Sequence, residues 1–233
     1  MNKIDINITN IIQKFQEKLH NTGWEPIFDS FFESILFQDV IYKLKDEAEE
    51  GRRFTPKLKD VFNSFIHCPY DKLKVIFVGQ DPYPQLGVAD GISFSCSNTS
   101  KEQPSLRYIF DELQTQFPSS SRDVDLKRWS NQGVLMLNTA FTVQINKIGS
   151  HYKLWKPFTH HILQSINRDF ENIPVVLLGK KAEEWQIRLD NQNIMKVSHP
   201  ASAGYKGGKW RSNNLFININ EALESQGKTS ISW

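Results

Sequence analysis

The run Gly79-Gln80-Asp81-Pro82-Tyr83-Pro84 sets a carboxylate and a phenol in a turn with two prolines. Proline fixes its own φ and biases the residue before it away from helix, so Asp81 and Tyr83 are held in place. A fixed carboxylate is what a catalytic group requires, although the hexamer alone also describes an ordinary proline-stiffened turn with a solvated aspartate. The next carboxylate, Asp90, has no spacing that marks it as the partner in a catalytic pair. Phe94 alternates with Ile92 and reads either as core or as a flat ring beside a crevice, where stacking on a planar base is worth about 1–3 kcal/mol. Cys96 has no neighbouring histidine to activate its thiol. The adjacent His160 and His161 lack the spacing of a zinc site. Neither a Walker A loop nor a Gly-x-Gly-x-x-Gly fingerprint occurs, which argues against an NTPase or a dinucleotide oxidoreductase.

These residues depend on the elements that carry them. Leu73–Val78, Val134–Leu137, Val175–Leu178 and Ile194–Val197 are short apolar runs, each closed by a polar residue or glycine. Helix-like segments lie between them at Ser105–Phe117, Trp155–Phe170, Lys181–Leu189 and about Asn214–Leu223. Near-continuous apolar strands alternating with helices predict a single-domain three-layer α/β/α sandwich around a mostly parallel four-stranded sheet. Ahead of it, a helical region of about residues 1–68 is expected. It comprises helices over Ile4–Leu19 and Phe28–Leu44, a solvated charged stretch from Lys45 to Arg53, and a helix through Phe65 capped by Thr55-Pro56. Ligands of open parallel sheets bind at the carboxyl ends of the strands. Gln80-Asp81, Asn138 and His199 each follow a predicted strand, so residues distant in sequence are expected to meet on one rim.

Composition narrows the class further. The 233 residues are 39% apolar and 23% charged, as in a globular chain, and show no repeat or linker. Twenty-eight Lys and Arg against twenty-six Asp and Glu leave a net charge of +2, too small to announce a nucleic-acid partner by itself. Two cysteines, Cys68 and Cys96, favour free thiols in a reducing compartment, with a single disulfide left open. No signal segment or membrane span is evident, so a cytoplasmic protein is expected.

The Asp81 motif, followed by Gly91-Ile92-Ser93-Phe94-Ser95, Leu135-Met136-Leu137-Asn138-Thr139 and His199-Pro200, resembles the uracil-DNA glycosylase family, specifically its highly uracil-selective first class. The likeness runs in order from about Trp24 to Trp233. It implies hydrolysis of the bond between uracil and deoxyribose, leaving an abasic site for base-excision repair, with no metal or cofactor. By resemblance Asp81 orients water and supports the cationic sugar, and a reference pKa of about 3.9 would keep it charged without a large shift. His199 donates to uracil O2, Asn138 reads the polar edge of the base, and Tyr83 closes the space beside C5. Phe94 stacks on the base, and Gln80 contributes backbone shape.

Ser105, after Pro104, matches a serine that contacts the DNA backbone, although Ser100–Ser105 lacks the proline-rich run of many relatives. The loop Pro200-Ala201-Ser202-Ala203-Gly204-Tyr205 departs further. Direct alignment puts Ala203 at the wedge that replaces the extruded base, with Tyr205 as the alternative, and leaves Ser202 to recover a phosphate contact. Lys206, Lys209 and Arg211 surround Trp210 in a segment suited to phosphate neutralisation. Uracil-containing DNA, preferably single-stranded, is the implied partner, together with a DNA-mimic protein inhibitor, and the protein is expected to be a monomer. Two alternatives stand beside this reading: a noncatalytic DNA-binding or protein-interaction module on the same fold, and a glycosylase of altered base range.

Overall fold

A computed structural model describes residues 8–205 and 208–233. Ile4, expected in the first helix, and Lys206, expected at the DNA backbone, lie outside the described residues. In chain order the elements are α1 (Ile8–Leu19), α2 (Glu25–Phe32), α3 (Ile35–Glu49), β1 (Phe54–Thr55), α4 (Asn63–Ile66), β2 (Val75–Gly79), α5 (Pro104–Gln116) and α6 (Lys127–Ser130). There follow β3 (Val134–Asn138), β4 (Val143–Gln144), α7 (Tyr152–Asp169), β5 (Pro174–Leu178), α8 (Lys180–Glu183), β6 (Asn193–Val197) and α9 (Leu215–Ser225).

The main sheet runs β3-β2-β5-β6 with every pair parallel. Every residue of β2 and β5 is buried, as strands covered on both faces must be. Alternation along β2 divides the interior. Ile76 and Val78 join a core with α1–α4 and α7, whereas Val75 and Phe77 join one with α5, α6, α9 and the C-terminal Trp233. The first core is aromatic: Phe28 meets Phe62, Phe65 and Phe158 at centroid distances of 4.9, 5.0 and 5.2 Å, mostly edge-on.

The N-terminal region departs from the expected helices in three places. Residues 28–44 form two helices, because the Ser34 hydroxyl accepts from Phe37 N–H as the N-cap of α3 and restarts the chain. Thr55 does not cap a helix; with Phe54 it pairs antiparallel to β4, and the following segment holds only a 3-10 turn at Leu58–Asp60 and the short α4. The charged stretch 45–53 is not wholly solvated. Glu47 is buried, its Oε2 2.9 Å from His151 Nε2, while His151 Nδ1 lies 2.7 Å from Thr142 Oγ1, which also accepts from Trp155 Nε1. Burial holds His151 below its usual pKa, which suits a ring donating to Glu47 and accepting from Thr142. Likewise the expected helix Lys181–Leu189 is the single turn of α8 followed by a 3-10 turn at Gln186–Arg188.

Register brings the strand ends together. Gly79 faces Asn138, and Leu178 faces Val197, so Gln80-Asp81, Thr139, Gly179 and Ser198-His199 all leave from one edge.

Candidate active site

At that edge lies a cleft of about 180 Å³ lined by Gln80, Asp81, Pro82, Tyr83, Pro84, Phe94, Ser105, Ile148, His199 and Ala201. Residues separated by more than a hundred positions therefore share one small concave space, as the strand-end rule anticipates. Asn138 stands just behind it, in an inner recess that shares Pro82, Tyr83 and Phe94 with the cleft.

Two glycines make this convergence possible. A Cβ on Gly79 would lie 2.6 Å from Ser93 Oγ and 2.8 Å from Asn138 Oδ1. Gly179 has φ +84°, and a Cβ there would lie 2.9 Å from the His199 Cβ, so only glycine lets the His199 loop close on the sheet.

The Asp81 carboxylate is tied on one side only. Gly149 N–H donates to Oδ2 at 2.9 Å, whereas Oδ1 is buried without a hydrogen-bond partner. Burial raises its pKa to about 6, against lowering by the Gly149 N–H, the Tyr152 hydroxyl and Gln80. Desolvation thus brings its pKa closer to neutral than its reference value, while the carboxylate stays largely charged at pH 7. The Gln80 carbonyl accepts from Ala140 N–H at 3.0 Å and Thr139 Oγ1 at 3.1 Å, pinning the start of the loop to the end of β3.

Across the cleft, Ala201 N–H donates to His199 Nδ1 at 3.2 Å. Nδ1 is therefore the acceptor, and in a neutral ring Nε2 carries the proton. Burial lowers the His199 pKa, so the ring is a neutral donor near pH 7. Its centroid is 5.8 Å from that of Phe94, whose backbone is held at φ +64°, an uncommon conformation for a non-glycine residue. The Tyr83 hydroxyl donates to the Phe94 carbonyl at 3.1 Å, so the two ring walls are braced against each other. Ser93 Oγ donates to Asn138 Oδ1 at 2.8 Å and leaves the amide N–H donors uncommitted.

The residues expected to meet DNA divide. Ser105 lies in the first turn of α5 and lines the cleft; Pro104 before it has no N–H to give and the Leu106 N–H is directed at Tyr83, so the Ser105 hydroxyl and N–H are what this turn presents. Ser202 lies outside the cleft, in a neighbouring groove with Lys180 and Lys196, and its hydroxyl is buried without a partner. Ala203 is 1% exposed and packs in the core beside α5 and α9, so it cannot enter a DNA stack, and the alignment that made it the wedge is corrected. Tyr205 is 94% exposed. Lys209 and Arg211 line a separate open trench that also holds Asp111 and Glu112. Trp210 is buried and donates to the Ser198 carbonyl at 2.8 Å, so it anchors the segment.

Sequence reasoning passed over several residues that build the site. Gly149, Tyr152 and Gly179 carry no motif of their own, and Ser93 was visible only as a member of the Phe94 motif. Asp90, which had no catalytic partner in sequence, accepts from Ile92 N–H, Ser97 N–H and the Ser95 and Ser97 hydroxyls and shapes the Phe94 loop. Cys68 and Cys96 are both buried thiols outside any disulfide, Cys96 Sγ donating to the Lys101 carbonyl, and burial pushes Cys68 up to about 12.

Residues 65–224 match the uracil DNA glycosylase superfamily. Over 223 residues the chain is 34% identical to the uracil-DNA glycosylase of Flavobacterium johnsoniae, covering 93% of this chain and 99% of that one. It is 34% identical to uracil-DNA glycosylase 1 of Listeria innocua, covering 90% and 96%. The crystal structure of mimivirus uracil-DNA glycosylase aligns with a TM-score of 0.83 at 26% identity, over 98% of this chain and 89% of that one. A variant of the mimivirus protein in complex with UGI aligns with a TM-score of 0.84 at 25% identity, over 98% and 91%. The order of motifs around the cleft, the parallel sheet that positions them and these likenesses along nearly the whole chain agree, and the chain belongs to the uracil DNA glycosylase superfamily.

Proposed function

We propose that the protein hydrolyses the N-glycosidic bond between uracil and deoxyribose in DNA, releasing uracil and leaving an abasic site for base-excision repair. One observation carries the reading: in a chain of this family, a carboxylate held by the Gly149 N–H and a neutral histidine with a free N–H line the same small cleft. The bond from C1′ to N1 breaks with its electron pair passing to the base, so positive charge grows on the sugar and negative charge on uracil. Asp81 stabilises the first, orients the water that adds to C1′ and accepts its proton. His199 Nε2–H stabilises the second by donating to O2, and the departing base takes a proton from solvent. Phe94 supplies the stacking face, Tyr83 excludes a C5 methyl, and Asn138 reads the N3–O4 edge.

A stacked uracil cannot reach this cleft, so the base is taken from a single strand or extruded from a duplex. Ser105 and the first turn of α5 hold a flanking phosphate. Tyr205, the exposed aromatic of the loop after His199, takes the wedge position that Ala203 leaves open, while Lys209 and Arg211 add longer-range attraction. With a single exposed ring on a short loop, single-stranded DNA is the preferred substrate, and a protein that mimics DNA would block the same mouth.

The test is base release from matched single-stranded and duplex DNAs carrying uracil, thymine or cytosine. Uracil release alone, faster from the single strand, is expected. A folded preparation that binds DNA and leaves uracil attached even in a single strand would support the noncatalytic module instead.

A further inference from the structure

Two buried oxygens beside the cleft lack a hydrogen-bond partner, Asp81 Oδ1 and the Tyr152 hydroxyl. Buried polar atoms are rarely left so, and a neighbouring pair calls for a reason. Gly149 links them: its N–H donates to Asp81 Oδ2 at 2.9 Å, and a Cβ on it would lie 3.5 Å from Tyr152 Cε2 and 3.7 Å from Cδ2. The ring of Tyr152, the first residue of α7, therefore lies against the residue that holds the carboxylate. Of the other buried polar groups nearby, His151 is bound on both ring nitrogens, Asp90 accepts four hydrogen bonds within its own loop, and the unpartnered Ser202 hydroxyl lies in the neighbouring groove, away from Asp81.

We propose that Tyr152 is a positioning residue for the hydrolytic step, its O–H donating to Asp81 Oδ1 and joining Gly149 N–H in fixing the carboxylate against the sugar. The inference rests on the reading of Asp81 given above. Hydrogen bonds in unliganded active sites are often long or poorly aligned and tighten when substrate binds, so a phenol poised without a bond of standard geometry is compatible with donation in the complex. The phenol already lowers the proton affinity of Asp81, and burial together with the Asp81 charge raises that of Tyr152, which stays protonated as a donor must. Besides Tyr152, the titratable groups facing Asp81 are His199 across the cleft and Tyr83 on its own loop, and Glu184 acts on Tyr152. Burial holds His199 below its usual range, so it is neutral near pH 7, and burial keeps Tyr83 protonated; the Asp81→Asn background separates any titration of His199 from that of Asp81.

The experiment is the pH dependence of single-turnover uracil release at saturating single-stranded DNA, for the unaltered protein, Tyr152→Phe, Asp81→Asn and the double variant. Tyr152→Phe should move the acid midpoint up by about one pH unit, the equivalent of a tenfold rise in the proton affinity of Asp81. The rate should fall about tenfold near pH 5 and converge with the unaltered protein by about pH 8, with DNA affinity unchanged. In the Asp81→Asn background the second substitution should add nothing. A fluorotyrosine at 152, a better donor of the same shape, should move the midpoint down and keeps the test decisive if the phenylalanine variant folds poorly. An unmoved midpoint, or an equal loss at every pH and in both backgrounds, would make Tyr152 a packing residue and overturn the proposal. Full activity of Asp81→Asn would instead overturn the assignment of Asp81 itself.

Discussion

Asp81→Asn separates chemistry from stability in a way that follows from the burial of the carboxylate. Burial raises its pKa from 3.8 to about 6, and a shift of this size corresponds to roughly 3 kcal/mol between the two protonation states. Because the folded pKa is the higher one, the folded protein keeps a proton between these values that the unfolded chain has released. Stability therefore falls as pH rises through that window, and the full penalty is present above pH 6. Asparagine has nearly the same shape, can still accept from Gly149 N–H and never charges. The variant should be more stable than the parent at pH 7 by up to roughly 3 kcal/mol, with the gain vanishing below about pH 4. It should also be slower by at least about tenfold in single-turnover uracil release. In the parent, release should be half-maximal near pH 6 and about tenfold below its plateau at pH 5. Urea melts of both proteins across pH 3.5–8, paired with single-turnover rates, provide the measurement. Equal stabilities at every pH, with release still at its plateau at pH 5, would refute the desolvated carboxylate.

Three further outcomes can be checked on the same substrates. Tyr83→Ala should open the space beside C5 and give measurable thymine release, whereas Asn138→Asp should weaken uracil recognition by exchanging a donor for an acceptor; assays of all three free bases distinguish them. Tyr205→Ala should widen the ratio of single-strand to duplex rates. Ala203→Leu should leave that ratio alone and destabilise the fold by about 1–3 kcal/mol through overpacking, as read by thermal melts at fixed salt. Gly79→Ala should push Ser93 and Asn138 off position, since the new methyl would lie within 2.8 Å of both; a large loss of uracil release with retained DNA binding is expected.

Much of this protein was determined locally. Three short apolar runs, each ending in a polar residue or glycine, specify buried parallel strands because only a strand covered on both faces tolerates apolar residues at every position, and a fourth, interrupted by Lys196, specifies a half-buried one at the edge of the sheet. The same runs bring Gln80-Asp81, Asn138 and His199 to one edge. What the sequence left open depended on contacts between distant residues. Desolvation of Asp81 requires the 149–152 segment and the His199 loop to close around it, and no neighbour in sequence announces either. Glu47 reads as a solvated charge until His151, 104 residues away, is packed against it. Ala203 aligns with a wedge position, yet the turn that follows His199 buries its side chain and leaves Tyr205 in solvent. Periodicity and turn chemistry report which face a residue can occupy; burial, and with it proton affinity and reach toward DNA, is a property of the whole packing.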